Sequence, residues 1–135
     1  MAKTLTVSIM DPPYESASST TAMRLIDAAL RKGIHVNVFA YEGAVSLTMK
    51  DQKPHPNPVH GTSVEEEKHP NPKDFVASLF ELAAEKGAKL DWVNCGLCVD
   101  ERGAGNWIDG PRRGGPPEFH KWVQESDATI VIPTK

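Results

Sequence analysis

The chain has 135 residues, 39% of them hydrophobic and 24% charged, with a net charge of −3 and a pI near 5.9. That length and apolar content suit one compact domain, residues 1–135, with a core of its own. The mildly acidic balance argues against a nucleic-acid partner or an anionic membrane, and no apolar run nears the roughly 18–20 residues of a membrane span.

In chain order, residues 5–10 read as a strand, with Leu5, Val7 and Ile9 alternating. Asp11-Pro12-Pro13-Tyr14 breaks it. Ser16, Ser18, Ser19 and Thr20 are good N-cap residues. The spacing of Met23, Ile26 and Leu30, widened by Leu25 and Ala29, predicts a helix over 19–32 that Gly33 ends. Residues 34–40 form the second strand, with Ile34, Val36, Val38 and Ala40 on one face. Tyr41-Glu42-Gly43 punctuates it, and 44–49 have room for one or two helical turns.

Residues 51–72 have the composition of a loop, rich in proline and histidine, with His-Pro-Asn-Pro occurring twice. So long a loop in a compact domain is usually functional or disordered; this one is expected to be a lid or an oligomer contact. Asn71 as cap and Pro72 at the first helical position open the next helix. Its stripe is Phe75, Val76, Leu79, Phe80 and Ala83, and Gly87 ends it. The third strand, 89–94, delivers Cys95, and a short helix then runs to Gly103. Residues 107–109 read as a very short strand, 110–117 as a Gly/Pro/Arg-rich loop, 117–124 as a helix and 128–132 as the last strand.

Strands alternating with amphipathic helices imply right-handed crossovers and a parallel sheet covered on both faces, an open α/β sandwich. Ligands of such sheets bind beyond the carboxyl ends of the strands. The 11–20 loop, the 41–43 turn and Cys95 should all face that edge.

Cys95 carries the chemistry in this reading. A thiol where a strand ends and a helix begins meets unpaired backbone N–H groups and the positive end of the helix dipole, a setting that favours the thiolate. The bland reading of a free cysteine is a small buried hydrophobe. Cys98, one helical turn on, either resolves Cys95 as in CxxC redox pairs or packs in the helix. A zinc site would need further ligands from His55, His60, His69 or His120, and no second CxxC or paired histidine is present, so no metal is expected. Tyr14, Ser18, Ser19, Tyr41 and Glu42 are candidates to line a pocket at the strand edge. Arg102 could supply positive charge there, as could Arg112 and Arg113, for which solvated surface is at least as good an account. Trp92 reads as core, while Trp107 and Trp122 suit core or a subunit interface equally.

Across nearly its whole length the chain resembles the DsrE/TusD (DsrE/DsrF-like) family of sulfur-relay proteins. The matching pieces are Pro13-Tyr14 with Ser18-Ser19, the run Phe39-Ala40-Tyr41-Glu42-Gly43-Ala44-Val45, and Cys95-Gly96-Leu97-Cys98 followed by Arg102-Gly103. The resemblance implies a three-layer α/β/α fold with a mostly parallel, flavodoxin-like sheet of about five strands. It further implies homo-oligomers, trimers or hexamers, and a cysteine that carries sulfane sulfur as a persulfide. By motif position that cysteine is Cys95, and its partners would be sulfur donor and acceptor proteins. Thiol exchange of this kind needs no cofactor. The proline-rich insert at 51–72 and the long 104–117 loop depart from the short carrier members. The N-terminus lacks the basic, apolar and small-residue pieces of a signal peptide. A disulfide between cysteines three apart would constrain little chain entropy. A cytoplasmic setting with free thiols is therefore expected. Two other readings stand beside the carrier: a non-enzymatic module binding a small anion or nucleotide at the strand edge, and a dithiol redox protein cycling Cys95 and Cys98.

Overall fold

The alternation of side chains along each strand decides what the layers bury. In the computed structural model, which describes residues 2–68 and 71–134, the strands are β1 (Thr4–Ile9), β2 (His35–Ala40), β3 (Leu90–Cys95), β4 (Arg112–Gly114) and β5 (Ala128–Ile132). The helices are α1 (Ser18–Arg31), α2 (Val64–Glu67), α3 (Pro72–Lys86), α4 (Gly96–Arg102) and α5 (Pro116–Glu125), with a 3₁₀ segment over Glu42–Thr48. Every strand pair is parallel and the order is β4-β3-β2-β1-β5. No described helix is long and apolar enough to cross a membrane.

On one face Val7, Ile9, Val36, Val38, Ala40 and Trp92 meet Met23, Ile26 and Leu30 of α1 and Val76, Leu79, Leu82 and Ala83 of α3. Each fully buried aliphatic side chain there contributes about 1.5–3 kcal/mol relative to exposure. The alternate residues Phe39, Val93 and Cys95 point to the other face, where Cys98 and Val99 of α4 and Trp122 of α5 cover them. Phe39 also stacks on Tyr41 and Phe119, with ring centroids 5.3 and 5.0 Å apart. The α/β/α sandwich expected from the alternating pattern is the observed one.

The differences have local causes. The expected stripe of α3 includes Phe75 and Phe80, which are only partly buried, and omits Leu82, which is buried. Residues 107–109 contribute a single antiparallel bridge, Trp107 to Met49, rather than a strand. The strand lies further on, inside the expected 110–117 loop. Gly114 pairs with Cys95, and a Cβ at 114 would stand 2.7 Å from Val93 Cγ1, so glycine lets β4 lie flush against β3.

The 51–72 segment is not uniformly loop. Asn57 and Thr62 exchange backbone hydrogen bonds around a turn whose Asn57 carboxamide oxygen accepts from Val59 and His60. Ser63 and Glu66 then form a capping box that starts α2. Gln52 sews the start of the segment down, donating to the Ser46 and Leu47 carbonyls and accepting from Lys73 N–H at the head of α3. The second His-Pro-Asn-Pro begins at His69 and Pro70, outside the described residues.

Candidate functional site

Two loops and one helix meet at the carboxyl ends of the central strands. The Tyr41-Glu42-Gly43 turn follows β2 and cannot drift, because a Cβ on Gly43 would stand 2.7–3.0 Å from the Pro12 ring. Ala44 N–H donates to the Met10 carbonyl at 3.0 Å, tying that turn to the loop after β1. Glu42 holds a left-handed backbone, φ 50°, unusual for a residue with a side chain. That conformation turns its N–H toward Cys98, whose Sγ accepts it at 3.1 Å. The Glu42 carboxylate in turn pairs with Arg102 at 3.0 Å. Both ends of α4 are thus joined to one turn.

Cys95 is the N-cap of α4, with extended φ/ψ of −60° and 120°, and Cys98 sits three residues on in the first helical turn. N-cap and N3 side chains face one another, as in a capping box, which puts the two thiols on one side of the first helical turn. Both are free and nearly closed off, 7% and 8% exposed. Burial pushes the Cys98 thiol above its ordinary 9.0; the Glu42 N–H pulls the other way, and the neighbouring Cys95 adds to the rise. This has a consequence for pH. The unfolded chain gives up that proton first, so between the two values the native state binds one proton more than the unfolded state. The contribution of Cys98 is complete below the unfolded value and is lost as pH rises past 9.0 toward the folded one. Urea melts at pH 8 and pH 10 should show the loss, and Cys98→Ala should flatten it; an unchanged slope would assign the titration to another group.

β4 brings in a cation that the sequence leaves ambiguous. Arg113 pairs in register with Asn94, beside Cys95. Its guanidinium lies over Gly96, 2.8 Å from where a Cβ would be, and Asp100 grips it at 2.9 and 2.7 Å. Asp100 is held below the usual carboxylate range by that contact. Arg112 faces the other way: Asp91 binds it at 2.8 and 2.9 Å and Glu118 at 2.6 Å, and it lies 6.0 Å from the Trp122 ring centroid. Arg112 therefore clamps β4 to β3 and α5, and Arg113 is the arginine at the thiols.

A cavity of about 850 Å³ opens beyond the ends of β1 and β2, lined by Asp11, Ser16, Tyr41, Glu42, Ser46 and Arg102 among others, and by Thr134 after β5. Three of the expected pocket residues, Tyr41, Glu42 and Arg102, are thus together. The cysteines do not line it; Cys98 meets it through Glu42, which lines the cavity and whose N–H the Cys98 sulfur accepts. Tyr14 and Ser19 line a separate, more apolar hollow of about 320 Å³ with Met23, Leu47, Pro72 and Phe75. Tyr14 also meets His55 edge to face at 5.5 Å. Ser19 donates to the Asp11 carbonyl at 3.0 Å, and Ser18 opens α1 with its N–H on Ser16 Oγ at 3.1 Å. Ser16, which the sequence reading treats only as a cap, belongs to both hollows. Among the described residues no three His, Cys, Asp or Glu side chains converge as metal ligands do, and His69 lies outside them.

The DsrE/DsrF-like family model matches residues 3–132. The uncharacterized protein MJ0989 of Methanocaldococcus jannaschii is 28% identical over 129 residues, 94% of this chain and 97% of that protein. Among solved structures, the YchN protein of E. coli superposes with a TM-score of 0.73 at 22% identity, covering 97% of this chain and 99% of YchN. A conserved protein of unknown function from Bacteroides thetaiotaomicron, BT1422, superposes with a TM-score of 0.59 at 12% identity, over 96% of this chain and 95% of that one.

Proposed function

The chain belongs to the DsrE/DsrF-like family, and we propose that it acts there as a sulfur carrier, with Cys95 holding sulfane sulfur as a persulfide for transfer to a partner thiol. The observation that carries this reading is the position of Cys95. It ends β3 on the ligand-bearing edge of a parallel sheet, begins α4, and has Arg113 over the adjoining residue. In the transfer the Cys95 thiolate attacks the outer sulfur of a donor persulfide, and the donor leaves as a thiolate. An acceptor thiolate later removes the same sulfur and restores Cys95. Arg113 favours the anion at each stage, and Arg102 with Glu42 forms the polar rim that a partner meets first. Near-complete burial slows the approach of small thiols to the loaded sulfur, so delivery is faster to a partner whose docking opens the site. The proposal places the protein in the cytoplasm as a homo-oligomer.

The test is an intact-mass spectrum after anaerobic incubation with glutathione persulfide. Wild type should gain about 32 Da, reversed by reductant, and Cys95→Ala should gain nothing. Equal gain by both proteins refutes Cys95 as the carrier. No gain by either would leave the 850 Å³ cavity, as a binding site for a small polar molecule, the better account of the strand edge.

A further inference from the structure

We propose that Cys98 is a resolving thiol: with no acceptor docked, it attacks the Cys95 persulfide and releases the stored sulfur as hydrosulfide. This inference rests on the carrier reading and adds a second outlet for the sulfur. In the step, the Cys98 thiolate attacks Cys95 Sγ, the inner sulfur. The Cys95–Cys98 bond forms as the Cys95 Sγ–S bond breaks, and the outer sulfur leaves as HS⁻, taking up the proton that Cys98 gave up. The sulfane sulfur is reduced by two electrons, the two cysteine sulfurs together are oxidised by two, and no outside oxidant takes part. A dithiol reductant then returns the pair to its free form.

Three features of the site support it. The thiols occupy N-cap and N3 of one helix, positions whose side chains face one another, so the attacking sulfur starts within one helical turn of its target. Both are more than nine-tenths buried, so small thiols reach the loaded sulfur slowly while Cys98 already lies beside it. And the Glu42 N–H, held at 3.1 Å from Cys98 Sγ by a left-handed backbone, partly offsets the burial that disfavours charge on the sulfur that must become the nucleophile.

The experiment loads wild type, Cys98→Ser and Cys98→Ala anaerobically with glutathione persulfide, desalts them, and follows intact mass and free sulfide over time. Cys98→Ser keeps an acceptor for the Glu42 N–H and guards against a folding defect in the alanine variant. Wild type should pass from the gain of about 32 Da to a loss of about 2 Da relative to the reduced chain, with one sulfide per disulfide. Both variants should hold the added sulfur at least about tenfold longer and release no sulfide. If wild type keeps its sulfur as long as the variants do, or if the variants release sulfide at the wild-type rate, the resolving role is wrong while the carrier stands. If no protein ever gains sulfur, and wild type forms no disulfide with the persulfide, the carrier reading falls and this step falls with it.

Discussion

Trp92→Ala should lose about 3–5 kcal/mol of stability, the range for deleting a large buried aromatic. Trp92 is the largest of the fully buried side chains and lies in the core between β3 and the α1–α3 layer. Volume is only part of its role. Its indole N–H donates to the Asn94 carboxamide oxygen at 3.2 Å, and the Asn94 amide donates to Thr48 Oγ1 at 3.0 Å, all of it buried. That chain ties the last turn of β3 to the 3₁₀ segment one residue before Cys95. Trp92→Phe separates the two contributions: it keeps most of the apolar bulk but leaves the Asn94 oxygen without its donor, at about 1–3 kcal/mol. Urea unfolding followed by far-UV circular dichroism measures both. If Trp92→Phe cost as much as Trp92→Ala, the hydrogen-bond chain rather than packing would dominate the site.

Gly43→Ala should cost about 1–3 kcal/mol, the usual penalty for forcing atoms into filled space. The new Cβ would meet three atoms of the Pro12 ring at 2.7–3.0 Å, and a pyrrolidine ring cannot rotate aside. The turn after β2 has to lift away from the loop after β1, and the Glu42 N–H leaves Cys98 with it. Two readouts should therefore move together: stability falls, and Cys98 alkylates faster with iodoacetamide because its sulfur is less enclosed. A variant as stable as wild type with Cys98 unchanged would mean that the two loops slide freely past each other.

How much of this the sequence shows depends on how much hydrophobic pattern each piece carries. β1, β2, β3 and β5 alternate or run apolar, α1 and α3 have helical spacing, and Gly33, Gly87 and Gly103 take the left-handed conformation that ends helices. β4 carries no apolar residue in its three positions, so no period marks it; it exists because β3 offers an open edge and Gly114 fits there. The consequence reaches the site, since the register of β4 distinguishes Arg113 at the thiols from Arg112 at Asp91, which composition does not do. α2 has a readable signal, the Ser63–Glu66 spacing of a capping box, hidden within a segment whose prolines suggest only loop. The motif around Cys95 locates the two thiols, but their burial, and their absence from the cavity lining, come from tertiary packing.

The order of the sheet sets the order in which it can be assembled. β1, β2 and β3 are consecutive strands that pair in chain order, so each pairing closes only the stretch between one strand and the next. The other side of β1 is filled by the final strand: Thr4 N–H donates to the Asp127 carboxylate, 123 residues away. Contacts of such sequence separation have a high closure entropy and slow folding. Until β5 arrives, a central strand of the finished sheet is an edge, its N–H and C=O groups unpaired along one side and open to pairing with another chain. The species most prone to aggregate is therefore the nearly complete one, with every helix made and only the last strand undocked.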